Sequence, residues 1–268
     1  MFLTELVNNK LKEVAQRKER VPLQALTSKI AALTPTRNFR EAISSSAEIN
    51  IIAEIKKSSP SAGIITQNYD PEKLSRIYEE NGASAISVLT DKKFFGGDLE
   101  DLAKVRKVSS LPILAKEFIL DEYQIYEARF LGADAILLIA LILSREKLKK
   151  YLDLASKLDL ECLVEIHEEK EWGKIKDLPL DIVGVNNRNL ATLEVDIGMS
   201  LNLIKKIPSD KIIVTESGIH SREDIHRLRE AGVDAFLVGE VLLKSRDAGK
   251  KLRELAGRQT PNERTNAQ

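Results

Sequence analysis

The chain has 268 residues, enough for one large α/β domain or two small ones. It is 43% apolar and 31% charged, and Lys plus Arg equals Asp plus Glu at 41 each, which is the make-up of a soluble globular protein without a global basic field for nucleic acid or anionic membrane. The longest apolar run, Ala135 to Leu143, is about half a membrane span, and Met1 to Leu11 lacks the apolar core of a signal peptide. The single cysteine, Cys162, excludes an internal disulfide and fits a buried hydrophobe in a reducing cytoplasm.

Along the chain, FLTELVNNKLKEVAQRKER (Phe2 to Arg20) has the apolar spacing of an amphipathic helix. A connection containing Pro and Thr follows, then a shorter helical piece near Phe39 to Ser44. The first strand is INIIAEIK (Ile49 to Lys56), which runs into a Ser-Ser-Pro-Ser-Ala-Gly loop. Further strands are NGASAISVL (Asn81 to Leu89), PILAKEF (Pro112 to Phe118), LGADAILLI (Leu131 to Ile139), LECLVEI (Leu160 to Ile166), DIVGVN (Asp181 to Asn186), KIIVTES (Lys211 to Ser217) and AGVDAFLVG (Ala231 to Gly239). Amphipathic helices separate them, including Asp70 to Asn81, Ser144 to Leu158 and Ser221 to Ala231, each opening on a capping residue. DKKFFGGDLEDL (Asp91 to Leu102) reads as a mobile loop with an aromatic pair and a Gly-Gly hinge.

Three of these junctions repeat. A helix stops at Gly82, Gly132 or Gly232, and a strand begins about two residues later; the spacings are 50 and 100 residues. One βα step takes roughly 25–30 residues, so four such periods make eight units. Strict alternation argues for a parallel sheet, and eight units argue for a (β/α)8 barrel. The expected layout is an extension at 1–48 packed on the barrel, the barrel at 49–256, and a polar, disordered tail at 257–268. Without its extension the barrel is expected to stay folded but to bind substrate poorly.

Barrels of this kind work at the carboxyl ends of their strands. There the sequence puts Glu54 and Lys56 on one face, then Lys116 and Phe118, Glu165, Asn186 and Arg188, and Glu216 and Ser217. Glycines between strand and helix start, Gly218 and Gly239, offer backbone N–H groups suited to a phosphate. HEEKE (His167 to Glu171) ends in Glu where a zinc motif needs His, and His220 and His226 are six apart, so no metal site is expected. There is no G-x-G-x-x-G or Walker motif, which disfavours dinucleotide and ATP chemistry.

Seven stretches in order then carry a resemblance. AEIKKSSPS (Ala53 to Ser61), LTDKKFFGGDLEDL (Leu89 to Leu102), LAKEFI (Leu114 to Ile119), LVEIH (Leu163 to His167), GVNNRNL (Gly184 to Leu190), ESGI (Glu216 to Ile219) and LVGE (Leu237 to Glu240) together resemble the indole-3-glycerol phosphate synthase family. The N-terminal KEVAQRKERVPL (Lys12 to Leu23) is family-like too, and Asp98 stands where a Ser is common. The resemblance implies a lyase of tryptophan biosynthesis, with a phosphorylated substrate and neither metal nor organic cofactor. It implies catalytic roles for Glu54, Lys56, Lys116, Glu165, Asn186 and Ser217. It implies substrate contacts at Ser59, Phe118, Arg188, Glu216, Gly218, Gly239 and Glu240. The expected form is a monomer, with association with other enzymes of the tryptophan pathway left open. Another barrel of the pathway, phosphoribosylanthranilate isomerase, would share the phosphate turns but not Lys116, Glu165 and Lys56; a non-catalytic barrel that binds a phosphate ligand or a partner is the other alternative.

Overall fold

The computed structural model describes residues 2–66, 68–190 and 192–258. Among them, eight parallel strands close into a barrel: β1 (Asn50–Ile55), β2 (Ala85–Leu89), β3 (Ile113–Lys116), β4 (Ala135–Ile139), β5 (Glu161–Ile166), β6 (Ile182–Asn186), β7 (Ile212–Glu216) and β8 (Ala235–Val238). Neighbours in sequence are neighbours in the sheet, and β1 pairs with both β2 and β8. Each strand falls inside the segment read from sequence, trimmed by one to four residues at its ends.

The repeated glycine junctions have a backbone reason. Gly82, Gly132 and Gly232 lie at φ +87°, +94° and +103°, the left-handed region where a side chain is strained. Two of the junctions also carry an Asp two residues after the Gly. Asp134 accepts the backbone N–H of Ile113 at 2.9 Å and Asp234 that of Ile213 at 2.7 Å, so each ties the start of its own strand to the strand before it. The predicted caps form as well: Asp70, Ser144 and Ser221 accept the N–H groups of Lys73, Lys147 and Asp224.

Alternation along the strands sorts two cores. Ile51, Ala53, Ile86, Val88, Ile113 and Ala115 face the surrounding helices, whereas Ile52, Ala85, Leu114, Leu137, Leu163, Val214 and Leu237 fill the barrel. Leu6, Phe39 and Ile43 of the N-terminal segment are fully buried in that inner cluster. The segment forms α1 (Phe2–Arg20), α2 (Leu23–Ile30) and α3 (Phe39–Ala42). Sequence reading took the stretch holding α2 for a plain connection. Pro22 hid that helix by breaking the pattern, yet a proline just before a helix start is well tolerated.

The aromatic stretch after β2, expected as a loop, holds regular structure. Lys92–Phe95 makes a helical turn capped by the Asp91 side chain, and Glu100–Val108 is a helix. Its two glycines serve geometry. Gly96 ends the turn at φ +65°, and a Cβ on Gly97 would lie 2.0 Å from the carbonyl oxygen of Leu89. At the other end, Gly257 caps the helix Ala248–Ala256 in a left-handed conformation and Arg258 pairs with Glu48; the rest of the expected tail lies outside the described residues. No helix among the described residues is long and apolar enough to cross a membrane.

Candidate active site

The period of two along each strand carries the inward face from apolar residues in the barrel to polar ones at its mouth. Ile52 leads to Glu54 and Lys56, Leu114 to Lys116, Leu163 to Glu165, Gly184 to Asn186, Val214 to Glu216 and Leu237 to Gly239. These side chains line one cavity of about 410 Å³. All thirteen residues singled out from sequence border it: Glu54, Lys56, Ser59, Lys116, Phe118, Glu165, Asn186, Arg188, Glu216, Ser217, Gly218, Gly239 and Glu240.

Lys116 is at the centre. Its Nζ lies 3.0 Å from Glu165 Oε2 and also contacts Glu216 Oε2, and its side chain is only 11% exposed. Burial by itself favours the neutral amine, but Glu165, Glu216 and Glu54 outweigh it and hold the lysine charged well above its ordinary range. The two carboxylates diverge. Burial works against ionised Glu165, yet Lys116 and His167 pull it below the ordinary carboxylate range. Burial raises Glu216 above that range, with the charge of Glu165 adding to the rise against the pull of Lys116. Gly184 makes this crowding feasible, since a Cβ there would come within 2.9 Å of Glu216 Oε1.

Around this centre, Lys56 Nζ lies 2.6 Å from Glu54 Oε1. Asn186 Oδ1 accepts from the Ser217 hydroxyl at 2.9 Å and from the Arg188 N–H at 3.0 Å, which joins the ends of β6 and β7. Ser217 holds φ +66°, a strained conformation for serine that turns the chain toward the cavity. Arg188 Nη1 donates to the Leu193 carbonyl at 3.0 Å, and Glu240 pairs with Lys244 at 2.6 Å. Ser59 sits on a hairpin formed by Ser58–Ser59 and Gly63–Ile64, within what read as a loop. Among the described residues, no group of three His, Cys, Asp or Glu could hold a metal ion.

Gly239 has a second reason to be glycine. A Cβ there would meet Glu54 Oε1 at 2.7 Å, and φ is −135°, so close packing rather than backbone freedom sets the residue. The helix Glu240–Lys244 starts immediately after it, and the first N–H groups of a helix lack partners within it. Gly239→Asp is therefore expected to raise KM and to lower kcat together, because it adds a carboxylate at the cavity wall beside the helix start while its Cβ displaces Glu54. Steady-state kinetics checks this; unchanged kcat with unchanged KM would be inconsistent with both effects.

Three neighbours escaped the sequence reading. Phe95 stacks beside Phe118 with ring centroids 6.0 Å apart and gives the cavity an aromatic wall. Lys244 reaches the same cavity from one turn into its helix. His167 sits behind Glu165. Each lies beyond the strand end, where a period of two no longer indicates direction. Only the aromatic pair gave a signal, and it was assigned to a loop.

A closed (β/α)8 barrel with two carboxylates around a charged lysine, an aromatic wall and turn glycines at the strand ends has the parts of a barrel enzyme that works by acid–base chemistry. Comparison with known proteins makes this specific. Residues 3–255 match the family model described as indole-3-glycerol phosphate synthase. Proteins of that name are similar to this chain in Acetivibrio thermocellus, at 43% identity over 95% of this chain and 98% of the relative, and in Thermoanaerobacter pseudethanolicus, at 46% over 91% and 93%. A solved thiamine phosphate pyrophosphorylase from Pyrococcus furiosus shares the fold alone, with a TM-score of 0.60 at 14% identity over 81% of this chain and 96% of that one. The chain belongs to the indole-3-glycerol phosphate synthase family, a family of carboxy-lyases in tryptophan biosynthesis that act on a phosphorylated small molecule.

Proposed function

We propose that the cavity at the barrel mouth converts 1-(2-carboxyphenylamino)-1-deoxyribulose 5-phosphate to indole-3-glycerol phosphate, with Lys116 as the first proton donor. The ring carbon bearing the carboxylate attacks the ketone carbon, and the ketone oxygen takes a proton from Lys116 as charge develops on it. The carbon–carboxylate bond then breaks, its electrons return to the ring, and carbon dioxide leaves. In the last step the new hydroxyl departs as water and the neighbouring methylene carbon, C1 of the former deoxyribulose, loses a proton, which forms the indole double bond while the nitrogen keeps its hydrogen. Glu165 handles protons in that dehydration.

The other residues hold and orient the substrate. Lys56, aligned by Glu54, offers a cation to the substrate and stands close enough to share acid duty; Asn186 and Ser217 orient groups at the centre. Phe118, with Phe95, flanks the aromatic ring. The turns at Gly218 and Gly239–Glu240 are assigned to the phosphate, Ser59 to a further substrate contact, and Arg188 and Glu216 stand beside the centre; all of them border the cavity. The observation that carries the reading is a charged lysine 3.0 Å from a buried glutamate, inside a cavity that also has an aromatic wall.

Purified protein mixed with the carboxyphenylamino substrate should develop indole fluorescence with release of one carbon dioxide per product. Absence of product from folded protein at saturating substrate would overturn the assignment.

A further inference from the structure

Glu165 is bracketed. Its Oε2 faces Lys116, and its Oε1 lies 3.2 Å from Nε2 of His167. The imidazole is itself pinned: Nδ1 lies 3.4 Å from Glu171 Oε2, and the backbone N–H of His167 donates to that same oxygen at 2.7 Å. Glu171 belongs to the helix Glu169–Ile175, which starts three residues after the end of β5 and so positions the ring from behind. All three side chains are buried, at 2–8% exposure. Neither ring nitrogen makes a hydrogen bond among the described residues, so the imidazole acts on Glu165 as a group at ion-pair distance. Glu216 Oε1 is likewise without a hydrogen-bond partner, and among the described residues Glu216 has no second basic group at that distance beside Lys116. The two carboxylates that flank Lys116 are therefore unequal.

We propose that His167 is a positioning residue that, held by Glu171, supports the ionised form of Glu165 and so sets it apart from Glu216 on the other side of Lys116. The proposal rests on the reading of Glu165 as a proton-handling group. Burial works against an imidazolium, but Glu165 and Glu171 outweigh it and raise His167 to about 10, so the ring is charged at neutral pH. The opposite shifts of Glu165 and Glu216 follow the same asymmetry. The other charged groups nearby are Lys116 on β3, Glu216 on β7 and the Glu54–Lys56 pair at β1. Lys174, on the same helix as Glu171, is turned to the carbonyls of Ala140 and Leu143. Chemically, the dehydration then has a base in Glu165, while Glu216, raised to about 7 across the lysine, is the carboxyl better suited to protonate the departing hydroxyl.

The pH profile of kcat tests this in the full chain. His167→Gln keeps an N–H donor but cannot carry charge. Losing a cation near Glu165 raises its proton affinity, and a base must be ionised to act, so the acidic limb of kcat should move upward by ~1–3 pH units. KM should stay within about twofold, because the ring does not touch substrate. Glu171→Gln removes the pin and should shift the limb in the same direction by less, and it carries the same test should His167→Gln fold poorly. An acidic limb left in place in a folded variant, or kcat reduced by one factor at every pH, overturns the proposal. Glu165→Gln measured alongside separates the two readings. If it keeps wild-type turnover, the role of Glu165 is wrong; if it loses turnover while the limb in His167→Gln stays put, only the role of His167 is.

Discussion

Lys116→Met is expected to lower turnover by ~10²–10⁴-fold, the range typical of losing a general acid. The thioether keeps the volume and apolar contacts of the lysine stem and removes the only cation within ion-pair distance of both Glu165 and Glu216 among the described residues. Stability should suffer as well, since removing one partner of a buried ion pair costs about 3–5 kcal/mol when the other charge is left uncompensated. Glu216 is already raised to about 7 and Glu165 retains His167, so protonation of Glu216 relieves part of that cost. The two effects can be separated. Lys116→Met combined with Glu216→Gln should recover stability in a denaturant titration without recovering turnover. A Lys116→Met enzyme that turns over within a few-fold of wild type would move the first proton transfer to Lys56.

Lys10→Met is expected to be among the most destabilising single changes in the chain. Lys10 projects from α1 and is 1% exposed, yet its Nζ lies 2.9 Å from Asp91 and 3.0 Å from Glu117, both buried. Burial opposes the charge, but Glu117 and Asp91 outweigh it and keep the lysine protonated. Methionine would leave two carboxylates buried without their cation, at a cost of about 3–5 kcal/mol in an equilibrium unfolding experiment. Activity should fall too. Glu117 accepts the backbone N–H of Phe118 at 2.7 Å, and Asp91 caps the turn that carries Phe95, so one ion cluster under the aromatic wall holds both of its rings. A loss below about 1 kcal/mol would show that the cluster rearranges to find solvent. The same packing changes the outlook for deleting the N-terminal segment. Leu6, Phe39 and Ile43 are fully buried against the inner cluster, so removal through Ser46 should impair folding and not substrate binding alone.

Much of this protein is written in local pattern. Period-two alternation and the glycine junctions 50 and 100 residues apart determine eight strands, their parallel order and the closed barrel. The same alternation determines which charged residues point inward at the carboxyl ends, because a strand leaves its side chains only two faces to choose from. Alternation accounts for Glu54, Lys116, Glu165, Asn186 and Glu216 at the cavity, whereas Ser59 and Glu240 were named only by the family resemblance and lie past the ends of the barrel strands. What only the tertiary structure decided lies where contacts join elements distant in sequence. Lys116 meets Glu216 across 100 residues, Lys10 meets Glu117 across 107, and no periodicity couples such positions. Nor could sequence tell that Gly184 and Gly239 are small to admit Glu216 and Glu54, since a strand or turn glycine looks the same whether it bends the chain or yields space. The inequality of Glu165 and Glu216 is likewise tertiary. His167 follows Glu165 by two residues where Gly218 follows Glu216, but that the ring turns back onto Glu165 with Glu171 of the next helix beside it is visible only in the folded chain.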